Sequence, residues 1–214
     1  MNNFSLFKEM MISYLEAHDI SLPIISNLHE TSLNDKVSPP RYVYTSDKDL
    51  DVLDMDLIAK RGYKIIKSAS GINNVINTTD AFIINSNNDW YFIEFKDAKI
   101  SAENANLKNN VLKKAYSNWY MLLDILYFMY HKGNGYSDFT IDNPIEFAKN
   151  HVCYILVCSE EKNPNMYQQI KNYDLLGEKY TPPFMERLKD YMFKEVYVYT
   201  ETYLANKFVK EFVY

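Results

Sequence analysis

The sequence predicts an α/β fold, a mixed β-sheet sandwiched by helices, with an N-terminal helical extension. Three stretches carry that expectation. Two apolar, aromatic-rich runs, 79–85 and 90–97, flank the polar link Ser86–Asp89 and read as a β-hairpin. Residues 101–131 then show a long helical spacing of apolar side chains. Residues 151–159 form a nearly unbroken apolar run, as expected of a strand covered on both faces. Hairpin strands followed by a helical crossover and a buried strand give a mixed sheet with helices on its faces. The 214 residues, 47% of them hydrophobic, suit one large domain, or one domain plus an appendage. The division expected is 1–45, an N-terminal helix and connector packed on the core, and 46–214, the main domain.

Taken in order, Phe4, Phe7, Met11, Tyr14 and Leu15 recur at helical spacing, with Ser5 as a candidate N-cap. Residues 21–41 carry Pro23, Pro39 and Pro40 among Asn and Ser and read as a connector. Leu50, Leu53, Leu57 and Ile58 make a stripe that predicts a second helix over 46–61, stopped by Gly62. Residues 63–67, Tyr-Lys-Ile-Ile-Lys, predict a strand, so that the hairpin completes a three-stranded meander. On the long helix Val111, Leu112, Ala115, Trp119, Leu122, Leu123, Leu126 and Met129 form the buried side, and Gly133-Asn134-Gly135 ends it. Beyond the apolar strand, Pro164 opens a short helix and Pro182-Pro183 precedes another through Tyr191. Residues 196–200 and 202–212 predict a last strand and a last helix. This order is an αβββαβ core with additions.

Composition narrows the function. Net charge is −5, which disfavours nucleic acid as a partner of the whole surface. Locally the balance reverses: from Glu94 to Lys132 there are six lysines against four acids. No apolar run approaches the roughly 18–20 residues that span a bilayer, and the start lacks a basic segment followed by an apolar one, so a cytoplasmic protein without membrane contact is expected. Cys153 and Cys158, five apart in the apolar run, fall on opposite strand faces and read as buried free thiols. Asp47, Asp49 and Asp51 imitate a calcium loop, but Val52 stands where Gly is required and Ile58 where Glu is. They are expected in a solvated first turn of the second helix.

The chemistry concentrates in the hairpin. Asp80 opens its first run, and Glu94 and Lys96 sit two apart inside the second, so both point to one face. Charges in so apolar a segment must be paired or bound to an ion. Two carboxylates and an ammonium on adjacent strands suit metal-assisted phosphodiester cleavage. The carboxylates supply hard oxygen ligands, and the ammonium can orient an attacking water or steady the transition state. The site has a geometric condition. Opposed hairpin residues share a face, so Asp80 joins Glu94 only if 85 pairs with 89 across a three-residue link; pairing 86 with 89 would set Asp80 against Phe95.

Asp80, then the hairpin, then Glu94-Phe95-Lys96 in an aromatic strand before a long helix resembles the PD-(D/E)XK nuclease superfamily, over roughly residues 63–159. The resemblance implies a restriction-endonuclease-like core with Asp80, Glu94 and Lys96 as the catalytic group. It also implies Mg²⁺ or Mn²⁺ held by Asp80, Glu94 and the Phe95 carbonyl. A polar residue from the long helix often joins such a site; Lys113 and Lys114 are the candidates, also for contact with a DNA backbone, with Lys108 behind them. Two departures stand out. Thr79 occupies the place of the signature proline, and residues 46–61 contain no glutamate to complete the site. Asp54, Asp56, Glu9 or Glu16 could take that part.

Three readings follow. The first is a metal-dependent endonuclease hydrolysing DNA. The second is a catalytically silent protein on the same fold, acting through a protein partner or as an immunity-type module; the third is an unrelated α/β module whose charges form only a surface pair. Oligomeric state is left open, with a homodimer among the options. The four histidines are scattered, and neither a GxSxG elbow nor a Gly-rich phosphate loop is present. Tyr116, Trp119 and Tyr120 could stack on bases, but packing of the long helix is their expected role.

Overall fold

The computed structural model describes residues 3–72, 74–101, 104–132, 139 and 141–212. Helix α1 (Asn3–Glu16) starts two residues before Ser5, which lies inside it rather than capping it. The connector is more ordered than its prolines suggest. It holds strand β1 (Ile25–Asn27), helix α2 (Leu28–Thr31), and strands β2 (Leu33–Asn34) and β3 (Arg41–Tyr42), which pair as a small hairpin.

The expected second helix is half strand. Residues Asp51–Asp54 form β4, which pairs antiparallel with β1 on one side, and only then does helix α3 (Met55–Leu57) begin. Helix α3 runs through a π-helical turn (Ile58–Tyr63) into α4 (Lys64–Ser68), so the strand predicted over 63–67 is helical. The stripe at 50, 53, 57 and 58 was ambiguous because Val52 and Leu53 are both fully buried between neighbouring strands, which local spacing does not reveal. The three aspartates before it are no helix turn. Asp49 Oδ1 accepts from Leu28 N (2.9 Å) and tethers the connector, and Asp51 opens the strand. Gly62 is no helix stop either. It lies inside the π turn, where a Cβ would come 2.6 Å from Leu15 Cδ2, so its absence lets the turn close on α1.

Strands β5 (Ala81–Ile84) and β6 (Trp90–Lys96) follow, then the crossover helix α5 (Ala105–His131), whose N-cap Asn104 accepts from Leu107 N. The expected stop at Gly133-Asn134-Gly135 falls outside the described residues. Helix α6 (Pro144–His151), which the sequence reading missed, leads into β7 (Val152–Cys158), all seven residues of which are buried. Helices α7 (Met166–Leu175) and α8 (Pro183–Tyr191), strand β8 (Glu195–Thr200) and the short helix α9 (Glu201–Tyr203) complete the chain. A π turn (Leu204–Phe208) and a 3₁₀ turn (Val209–Glu211) close it.

The large sheet has six strands in the order β1-β4-β5-β6-β7-β8. The first four pair antiparallel and the last three parallel, so the sheet is mixed and α5 makes the crossover. Its two faces are built from aromatic side chains. On one, Phe7 of α1 and Trp119 of α5 meet Trp90; on the other, Phe208 meets Tyr91. Both cysteines are buried free thiols. Among the described residues no helix is long and apolar enough to cross a membrane.

Candidate metal and phosphodiester site

The hairpin adopts the register the site requires. Ala81 pairs with Ile93, Phe82 with Phe92, Ile83 with Tyr91 and Ile84 with Trp90, and Asn85 N donates to Asp89 O across the link (3.0 Å). Asp80 thus stands opposite Glu94. The turn explains why. Asn85 Oδ1 accepts from both Asn87 N (2.9 Å) and Asp89 N (2.8 Å), and Asn88 takes a left-handed φ of 62°, which asparagine tolerates.

The side chains converge under the first turns of α5. Lys114 Nζ donates to Glu94 Oε2 at 2.7 Å and to Asp80 Oδ1 at 3.4 Å, so one ammonium bridges both carboxylates. Lys96 forms an ion pair with Glu94 Oε1. The second oxygen of Asp80, Oδ2, accepts from Phe95 N at 2.6 Å, which fixes the carboxylate on the strand edge. One turn beyond Lys114, the buried Asn118 donates to Thr79 Oγ1 at 2.7 Å and ties α5 to the residue before Asp80. Thr79 therefore serves here as a hydroxyl acceptor.

The electrostatics are under-compensated. Burial and then repulsion from Glu94 push the Asp80 carboxyl up to about 7; the two lysines and the Phe95 N–H offset only part of this. For Lys114, burial favours the neutral amine, but the attraction of Glu94 and Asp80 outweighs it and the pKa rises. Glu94 is fully buried, and its Oε1 accepts no hydrogen bond: Lys96 touches it as an ion pair, off the hydrogen-bonding direction. A buried carboxylate met only by lysine ammoniums, beside a second carboxylate that resists ionising, is a donor set that fits a small hard divalent cation. Among the described residues no three His, Cys, Asp or Glu side chains form a cage. Mg²⁺ asks for less, one or two carboxylates with water and phosphate completing the shell.

The cleft above these groups encloses about 330 Å³. Of the four candidates for the missing acid, only Asp56 lines it. Asp56 accepts from Thr78 Oγ1 (2.8 Å) and pairs with Lys60 (2.6 Å). Asp54 is spent on capping α3 through Leu57 N (2.8 Å), and Glu9 and Glu16 are exposed on α1, outside the cleft. Lys114 enters the cleft; Lys113 is exposed on α5 and neither it nor Lys108 lines the cleft. Trp119 is buried, whereas Tyr116 and Tyr120 are exposed, against the packing role expected of them.

Sequence reasoning missed the opposite wall. The β2–β3 hairpin brings Asn34, Asp35 and Lys36 over the cleft. It is stapled there by Asp97, which accepts from Arg41 Nε (2.7 Å) and Asn34 Nδ2 (3.1 Å) and pairs with Lys162 (3.1 Å). The one available signal was that Asp97 directly follows Lys96 at the end of an apolar strand. No protein-family model, curated protein or solved structure matches the chain.

Proposed function

We propose that the protein is a metal-dependent endonuclease of the PD-(D/E)XK type that hydrolyses DNA phosphodiester bonds. The observation carrying this reading is the convergence of Asp80, Lys96 and Lys114, which line one cleft, on the buried Glu94, in the only hairpin register that permits it. Antiparallel pairing of β4, β5 and β6, the α5 crossover and parallel β7 also support it, although α3, the π turn and α4 intervene between β4 and β5 where the αβββαβ order has no helix.

Asp80 and Glu94 would hold Mg²⁺ or Mn²⁺, with the Phe95 carbonyl as a further oxygen and Asp56 as the acid nearest to an outer position. The bound ion supplies Lewis-acid chemistry, lowering the pKa of water and offsetting negative charge on phosphate. Lys96, 18% exposed at its side chain, would orient a water and offset the negative charge that develops on it. Lys114, if freed from between the carboxylates, would hold a phosphate oxygen as a point charge. The Phe95 N–H keeps Asp80 aimed at the cleft throughout.

A second reading, a silent nuclease fold that acts through a protein partner, has one observation in its favour. Lys114 already occupies the space between the carboxylates as an internal counter-ion. Incubation with supercoiled plasmid separates the two. Nicking that needs Mg²⁺ or Mn²⁺, stops in EDTA, and is lost in Asp80→Ala and Lys96→Ala supports the nuclease. Saturable Mn²⁺ binding with no cleavage of any DNA form supports the silent fold.

A further inference from the structure

Helix α5 leaves aromatic side chains in water. Tyr120 is 62% exposed and Tyr127 67%, with Tyr116 at 47%. These positions lie four and seven apart, so they share one helix face. A ring that is mostly solvated contributes little to the core, and three on one face form a surface with a partner to find. Tyr120 is also the meeting point of two hollows. One, about 280 Å³, lies against α4 and is lined by Tyr63, Lys64, Lys67 and Val75. The other, about 520 Å³, continues along α5 past Leu123 and Tyr127. The first hollow adjoins the carboxylate cleft through a single helical segment. Lys60 lines the cleft, and Lys64, one turn on, lines the groove.

We propose that this groove is a track for single-stranded DNA leading to the cleft, a proposal that rests on the nuclease reading only for what happens at the cleft end. Charge selects the occupant. Among the described residues Lys64 and Lys113 make no ion pair, and Lys113 shares the tyrosine face of α5. Lys67 is held by Asp124 (2.5 Å), which also accepts from Tyr63 Oη (2.8 Å), so the floor of the smaller hollow is neutral and fixed while Lys64 stands unpaired beside it; the larger hollow is lined by Asp124 and Asp142 and, among the described residues, by no lysine. Unpaired cations interleaved with exposed rings match a phosphate backbone carrying bases that stack on aromatic faces. A duplex keeps its base faces stacked inside and offers them to no tyrosine, which is why the track is for a single strand. Tyr116 and Tyr120 stand about 6 Å apart along the helix axis.

The test is fluorescence anisotropy of the full chain in EDTA, where no cleavage competes, with a labelled 20-nucleotide single strand and the duplex of the same sequence. The single strand is expected to bind more tightly. Tyr120→Ala and Tyr127→Ala should each weaken it by about 5- to 100-fold. Tyr120→Phe should keep the affinity, since the ring and not the hydroxyl stacks. Lys64→Ala should reduce the salt slope by about 0.7. Circular dichroism melts confirm that each variant is folded. Equal or tighter binding of the duplex overturns the track, as does unchanged single-strand binding in both folded alanine variants; a protein partner on this face would produce the latter. Failure of the catalytic reading looks different: single-strand binding persists, sensitive to Tyr120, while no DNA is cut under any divalent ion.

Discussion

Asp80 and Asp97 bracket the β5–β6 hairpin, both are mostly buried, and both touch lysine, yet their surroundings differ in kind. Asp97 receives a two-nitrogen grip from Arg41, the amide of Asn34 and the ammonium of Lys162. Hydrogen bonding to Arg41, above all, holds its carboxyl down at about 2. Asp80 shares its neighbouring cations with Glu94 and is pushed up to about 7. One acid is fully spent on holding the β2–β3 hairpin in place; the other is held in position, but burial and the repulsion of Glu94 outweigh its two lysines. Of the two acids at the ends of this hairpin, the one whose charge is resisted is the candidate for chemistry and the one whose charge is satisfied holds structure.

Variants at these positions break the comparison in different ways. The largest effect is expected in Asp80→Asn, where metal-dependent nicking falls by at least about 10²-fold while thermal stability is kept or raised, because a repelled buried charge is removed. A melt that collapses instead would make Asp80 a structural acid like Asp97. Next is Lys114→Met, expected to cost about 3 kcal/mol in urea unfolding, since two buried carboxylates lose their shared counter-ion. Millimolar Mg²⁺ should restore part of that loss in Lys114→Met and do little for Asp97 variants; absence of any metal-dependent recovery argues against the cation site. Asp97→Ala should cost about 2 kcal/mol through its charged hydrogen bonds, with cleavage reduced only as far as the cleft wall loosens.

The smallest signal lies in the pH profile of stability, where the two acids pull oppositely. Asp80 has a raised folded pKa, so its contribution is fully present below about pH 4 and is lost as pH rises through about 7. Asp97 has a depressed one, so its contribution is present above about pH 4 and lost as pH falls toward 2. Denaturant midpoints of the wild type and Asp80→Asn should therefore separate steadily between pH 4 and 7, the variant gaining. Parallel curves would mean that Asp80 ionises normally in the fold.

The sequence revealed the parts of this molecule whose causes are local. The hairpin, the long helix and β7 were legible because aromatic alternation, helical spacing and an unbroken apolar run each persist over seven or more residues. The register was legible as a condition, and the turn asparagines met it. What escaped depends on distant partners. Residues 51–54 are a strand because β1 and β5 lie on either side, and residues 64–68 are helical because the chain enters them from the π turn, despite Ile65 and Ile66. The same holds for the site. Asp80, Glu94, Lys96 and Lys114 could be named beforehand, but the choice of Asp56 over three other acids needed the fold of α3. The exposure of Tyr116 and Tyr120 needed the packing around α5.

The turn at Asn85–Asp89 gives the hairpin a phase, in the sense that a message has a reading frame. Asn85 lies five positions from Asp80, yet the two amides that Asn85 captures decide which face Asp80 is on. Two chains could carry the same aspartate, glutamate and lysine at the same spacing, and only the one with a turn locked in this phase would own a site. The information that makes the cleft is thus written partly in a polar, solvent-facing loop that touches none of its chemistry.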